Sequence, residues 1–226
     1  MPAAATLLRL MWLASPALPV GGFSYSEGLE AAVEAGLVHD EASAGDWLLD
    51  QLALGPARCE LPLLAQAHDA WAAHDAARVE SLAAWWSATR ETAELRQQTE
   101  QTARSLLQWL RQGEQAADAR VEGCAALPPG WPVAYALATV LAGAPRAEAL
   151  LAFAWSWAEN QVAAAVKAVP LGQAAAQRML QRLADAIPAA VETALTLPEA
   201  ERQSFLPGLA LLSARHETQY SRLFRS

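Results

Sequence analysis

Residues 146–168 read RAEALLAFAWSWAENQVAAAVKA, with no proline, no glycine and no alternation of apolar and polar residues. Pro145 and Pro170 flank the stretch, so residues that interrupt helices mark its ends and leave its interior clear. Leu150, Leu151, Phe153, Trp155, Trp157, Val162 and Val166 go round the whole circumference of the helix this predicts. A helix apolar on every face belongs at the centre of a bundle. Glu159, Asn160, Gln161 and Lys167 are its unusual polar members, and Lys167 is the one lysine among sixteen basic residues.

Helical periodicity continues on both sides, with further candidates at 24–36, 43–54, 58–74, 78–88, 89–112, 115–125, 132–143, 170–186, 188–196 and 207–221. Across 89–112, Leu95, Thr99, Ala103, Leu106, Leu107 and Leu110 form a stripe at 3.6-residue spacing. Arg90, Glu91, Glu94, Arg96, Glu100, Arg104 and Arg111 take the remaining faces. No run alternates long enough to build a sheet. The reading is an all-α, single-domain bundle of about ten helices over 1–226, with 1–23 an N-terminal turn segment and 216–226 a C-terminal interaction tail. No internal repeat or low-complexity linker divides it.

Composition limits the functions open to such a bundle. The 226 residues are 54% hydrophobic and only 18% charged, and they include nine tryptophans. A chain of this size buries about 70% of its unfolded surface, enough for a core without staples. Tryptophans beyond what a core needs suit interfaces. The net charge of −8 lies entirely in residues 1–75, and no basic stripe exists for nucleic acid. Cys59 and Cys124 lack C-x-x-C spacing, so two buried thiols in a reducing cytoplasm are expected. Positions 124–145 carry no charge, yet Pro128, Pro129, Pro132 and Pro145 break any membrane span into a short buried helix. The N-terminus lacks the basic start of a signal peptide. The expected location is cytoplasmic, away from membranes.

Catalytic signatures fail in turn. No glycine precedes Lys-Ser or Lys-Thr, so a Walker-type phosphate cradle is missing, and so is G-x-G-x-x-G. His216-Glu217 begins like a zinc-protease motif, but Tyr220 stands where the second histidine is needed. His68 and His74 fall on different helix faces. No serine sits in a nucleophile-elbow context. The expectation is a protein without catalytic, cofactor or metal residues.

The densest punctuation lies at 13–30, Leu-Ala-Ser-Pro-Ala-Leu-Pro-Val-Gly-Gly-Phe-Ser-Tyr-Ser-Glu-Gly-Leu-Glu. Pro16 and Pro19 force extended backbone on Ser15 and Leu18, and Gly21-Gly22 opens conformations closed to other residues. Ser24 with Glu27 has capping-box spacing, and Ser26 is the alternative N-cap. At the other end, Arg215, His216, Tyr220, Arg222, Phe224 and Arg225 make a basic, aromatic tail suited to anchoring in a partner. Six residues beyond Tyr220 are expected to add little to the core.

The opening motif, the Glu159–Val162 and Lys167–Gln173 segments, and the closing HETQYSRLFRS (216–226) together resemble the urease accessory protein UreF family in order and spacing. The resemblance covers nearly the whole chain. It departs where relatives often carry glycine and this chain has Ala103, and at Gly22, where some have alanine. The resemblance implies a non-catalytic, dimerising factor for nickel insertion into apo-urease that bridges UreD (UreH in some systems) and the GTPase UreG and modulates that GTPase. It implies partner-binding roles for Tyr25, Ser26, Glu30, Lys167, Tyr220, Arg222 and Phe224. Of these, Tyr25 and Arg222 would face the GTPase and Lys167 would regulate it. An alternative from a different class is a metallochaperone holding nickel through Cys59, Cys124 and the four histidines. An uncharacterised all-α enzyme, built on a cleft of perturbed carboxylates, is a third.

Overall fold

The computed structural model describes residues 3–225. Among them the chain is all-α, with eleven α-helices and no strand. In order these are α1 (Ala4–Ala14), α2 (Leu29–Glu34), α3 (Glu41–Leu54), α4 (Glu60–Ala72), α5 (Ala76–Ala88), α6 (Ala93–Gln112), α7 (Ala119–Ala125), α8 (Trp131–Leu141), α9 (Arg146–Ala168), α10 (Gln173–Thr196) and α11 (Pro207–His216). Short 3₁₀ turns at Gly22–Ser24 and Glu199–Glu201 join α1 to α2 and α10 to α11.

The stretch at 146–168 forms a helix with the bounds its flanking prolines predict. It packs against α1, α2, α3, α4, α8 and α10, which makes it the hub of the bundle. The charge-free segment supplies an even more enclosed helix: every residue of α8 from Pro132 to Thr139 is buried, mainly against α4 and α6. Gly130 starts α8 because nothing larger fits. A Cβ there would stand 2.6 Å from Cδ1 of Trp86, whose indole N–H donates to Thr99 Oγ1 at 2.8 Å.

Several boundaries differ from the sequence reading, each for a local reason. The N-terminal segment is not all turn, since residues 4–14 form α1 with Leu10, Leu13 and Ala14 against the core. The expected helix at 24–36 shrinks to Leu29–Glu34, and neither Ser24 nor Ser26 caps it. Its N-cap is Gly28 at φ +79°, a left-handed conformation that glycine adopts at little cost. Ser26 Oγ accepts the Glu30 N–H one turn on, at 3.4 Å. Asp118 and Thr92 cap α7 and α6 through their side chains, so these helices start later than periodicity suggests. Conversely, 170–186 and 188–196 are one helix, because α10 runs through Pro188. A single proline removes one backbone bond, and α10 is held by packing on α9, α3 and α4. The last helix ends at His216, five residues early, where the chain turns back on itself.

Candidate partner-binding site at the joined chain ends

The opening motif and the tail meet. Gly21 at φ +75° turns the chain into the 3₁₀ turn, and the Arg225 N–H donates to Ser24 C=O at 2.8 Å, tying the tail to the motif. Glu30 on α2 is the anchor. Its carboxylate accepts the backbone N–H groups of Leu223 (2.7 Å) and Phe224 (2.9 Å) and faces His216 Nε2 at 3.1 Å. On the other side of the imidazole, Nδ1 lies 2.8 Å from Glu94 Oε2, and the second Glu94 oxygen accepts from Arg222 at 2.8 Å. Each imidazole nitrogen therefore faces a carboxylate oxygen across the joint. Arg222 and the tail N–H groups surround the paired carboxylates with donors, as burial of like charges requires.

Glu217 completes the joint by accepting the N–H groups of Ala93 (2.8 Å) and Glu94 (3.3 Å) at the N-terminus of α6. Thr92 Oγ1 and Ser213 Oγ lie 2.7 Å apart. Nearby, Tyr25 O–H donates to Gln101 at 2.8 Å, and Arg225 donates to the same oxygen at 3.3 Å. Burial pushes the Tyr25 hydroxyl up, partly offset by Arg225. Lys167 stands at the end of α9 with Nζ 5.8 Å from the Phe224 ring centroid.

The seven residues singled out in the sequence therefore cluster at or beside the joint, in two different settings. Tyr25, Ser26, Glu30 and Phe224 are buried, while Tyr220 is fully exposed and Lys167 and Arg222 reach solvent. The tail is not an independent appendage, because the Phe224 ring belongs to the hydrophobic core. Glu94, assigned to an outer face by periodicity, is buried, and His216, met in the sequence only as a failed zinc motif, has no exposed surface. Both were missed because their partners lie more than a hundred residues away. Phe23 (60% exposed) and Leu223 (69%) flank the joint as accessible apolar side chains.

Residues 38–184 match the family model for UreF. The chain is 63% identical over 225 residues to the urease accessory protein UreF of Methylibium petroleiphilum, an alignment spanning 99% of this chain and 95% of that protein. This chain belongs to the UreF family of urease accessory proteins. The Paracidovorax citrulli member is 61% identical over 226 residues, covering 99% of this chain and 90% of that one. In Bordetella bronchiseptica, a bifunctional urease accessory protein UreEF is 49% identical over 227 residues, 99% of this chain but 52% of that larger protein.

Among the described residues, no three His, Cys, Asp or Glu side chains gather as a metal would need. The thiols are buried and protonated, with Cys124 pushed up to about 12 and Cys59 higher still by desolvation. His68 bonds the Ala144 carbonyl at 3.0 Å and is pushed down by burial, as a neutral core histidine. No described helix is long and apolar enough to cross a membrane.

Proposed function

We propose that this chain is a non-catalytic, cytoplasmic, single-domain assembly factor for nickel insertion into apo-urease, bridging UreD (UreH) and the GTPase UreG and modulating that GTPase. The observation that carries this reading is the joint itself. Glu30 and Glu94 hold a tail in a fixed shape while leaving Tyr220, Leu223 and the outer side of Arg222 uncovered. A rigid backbone presenting an aromatic, an aliphatic and a guanidinium group is what an interface anchor needs, because little entropy remains to be lost on docking. The fused Bordetella protein supports placing the domain beside other accessory proteins of the same system.

In this reading Tyr25, Ser26, Glu30 and Phe224 act from inside by setting the tail's position, while Tyr220, Arg222 and Lys167 meet the partners. Self-association as a two-fold dimer belongs to the same proposal. It is supported by α1, where Leu7, Leu8, Met11 and Trp12 are each at least half exposed on one short helix. Co-purification of the tagged chain with UreD and with UreG, with and without GTP, tests the bridge. Retention of both partners by wild type and loss by Tyr220→Ala at unchanged thermal stability is expected. Equal retention by both proteins refutes the assignment.

A further inference from the structure

Asn160 and Gln161, two of the polar residues that interrupt the apolar sequence of α9, line a partly open cavity of about 110 Å³. A water needs roughly 10–15 Å³ by this measure, so the space holds several waters or one small molecule. Its walls combine the indoles of Trp131 and Trp157 with Glu27, Glu60, Arg90, Asn160 and Gln161. Glu27 is fixed, with its two oxygens accepting from Gln98 (2.7 Å) and from the Trp157 indole (2.9 Å). Its backbone stands at φ +50°, a left-handed conformation that costs a non-glycine residue energy and tends to occur at binding and catalytic sites.

The remaining polar groups are incompletely paired, with Arg90 donating to Cys59 Sγ at 3.7 Å. Arg90 stacks on Trp86 at 3.8 Å with its side chain 9% exposed, and its closest approach to Glu60 is 3.6 Å, too long for a hydrogen bond. Arg90 Nε and Glu60 Oε2 are both sealed from the surface and have no partner. Gln161 is only 4% exposed, and among the described residues neither its side-chain amide nor that of Asn160 makes a hydrogen bond. Buried atoms left in this state, as Arg90 Nε and Glu60 Oε2 are, normally face water or a ligand.

We propose that this cavity binds a small neutral molecule of the carboxamide class. The unpaired set contains donors (Arg90 Nε–H and the Asn160 and Gln161 NH₂ groups) and acceptors (Glu60 Oε2 and the two amide carbonyls). A molecule carrying N–H donors and a carbonyl on the same few atoms answers both, and its planar π system fits against indole faces. Charge selects neutrality. Two carboxyls oppose an anion, and Arg90 opposes a cation. Among the described residues, no three His, Cys, Asp or Glu side chains of the lining are placed to hold a metal ion.

The test uses the full chain, with acetamide as the probe and ammonium chloride and sodium acetate as charged controls. The indole N–H resonance of Trp157 reports binding, since that group bonds Glu27 at the cavity wall. Acetamide should shift it saturably with a Kd of about 1–10 mM, below the affinity ceiling for a ligand of four heavy atoms. Gln161→Leu removes two polar atoms at similar volume and should weaken binding at least tenfold while the melting temperature holds or rises. Asn160→Leu provides the same reading if that variant fails to fold. Linear, unsaturating shifts, saturation by ammonium or acetate in place of acetamide, or wild-type affinity in the folded variant would each overturn the proposal.

Discussion

Glu30 and His216 stand 3.1 Å apart, although 186 residues separate them. That contact closes the chain into a loop and places the tail on the opening motif, so the two ends behave as one element.

Glu30→Ala leaves the Leu223 and Phe224 N–H groups and His216 without their acceptor, and His216→Ala leaves two buried carboxylates facing each other. Each substitution should cost about 3–5 kcal/mol, the usual penalty for breaking a buried ionic network. The double variant should cost less than the sum, with a coupling of about 0.5–3 kcal/mol. Urea unfolding of all four proteins measures the cycle, and strict additivity would show that the pair does not interact.

Truncation after Tyr220 should destabilise the bundle, because it removes the buried Phe224 ring and the Arg222–Glu94 bond. A loss of about 2–4 kcal/mol is expected from one buried aromatic and its attached hydrogen bonds. A melting temperature equal to that of the full chain would restore the picture of a dispensable appendage.

Tyr220→Ala separates the outer surface from its support. The ring makes no buried contact, so stability should change by no more than about 0.5 kcal/mol. Co-purification with the partner proteins should fall sharply, and the comparison with Glu30→Ala distinguishes surface loss from tail release.

Glu60 gives a pH signature. Burial raises its carboxyl above the usual 4.5 in the folded protein, so the native state binds more protons than the unfolded chain just above that pH. The contribution to stability is complete below pH 4.5 and is lost as pH rises through the folded-state value. Glu60→Gln should therefore match wild type near pH 4 and exceed it near pH 8. Chemical unfolding across that range checks the slope, and parallel curves for the two proteins would contradict the burial argument.

Gly130→Ala should destabilise by about 1–3 kcal/mol, the cost of overpacking a filled core, because the added carbon meets Trp86 and strains its bond to Thr99. Thermal melting is sufficient to read it. An unchanged transition would mean the α5–α8 crossing yields more readily than its packing suggests.

The helical class, the central place of 146–168 and the family were all legible along the chain, because each depends on residues close together in sequence: apolar period, proline flanks and contiguous motifs. The limits of helices were less so. Pro188 reads as a break and is carried by packing, while Ser24 and Ser26 read as caps and give way to a left-handed Gly28. Arg222 and Phe224 stand out by residue type and Tyr25 by its motif, yet only the fold shows that Phe224 belongs to the core and that Tyr25 is buried. Glu94, His216, Glu60 and Arg90 look like ordinary helix-surface or failed-motif residues in the sequence. Their burial, their contacts and their unpaired atoms arise from elements that meet only after folding, and local periodicity carries no record of which distant carboxylate will face which donor.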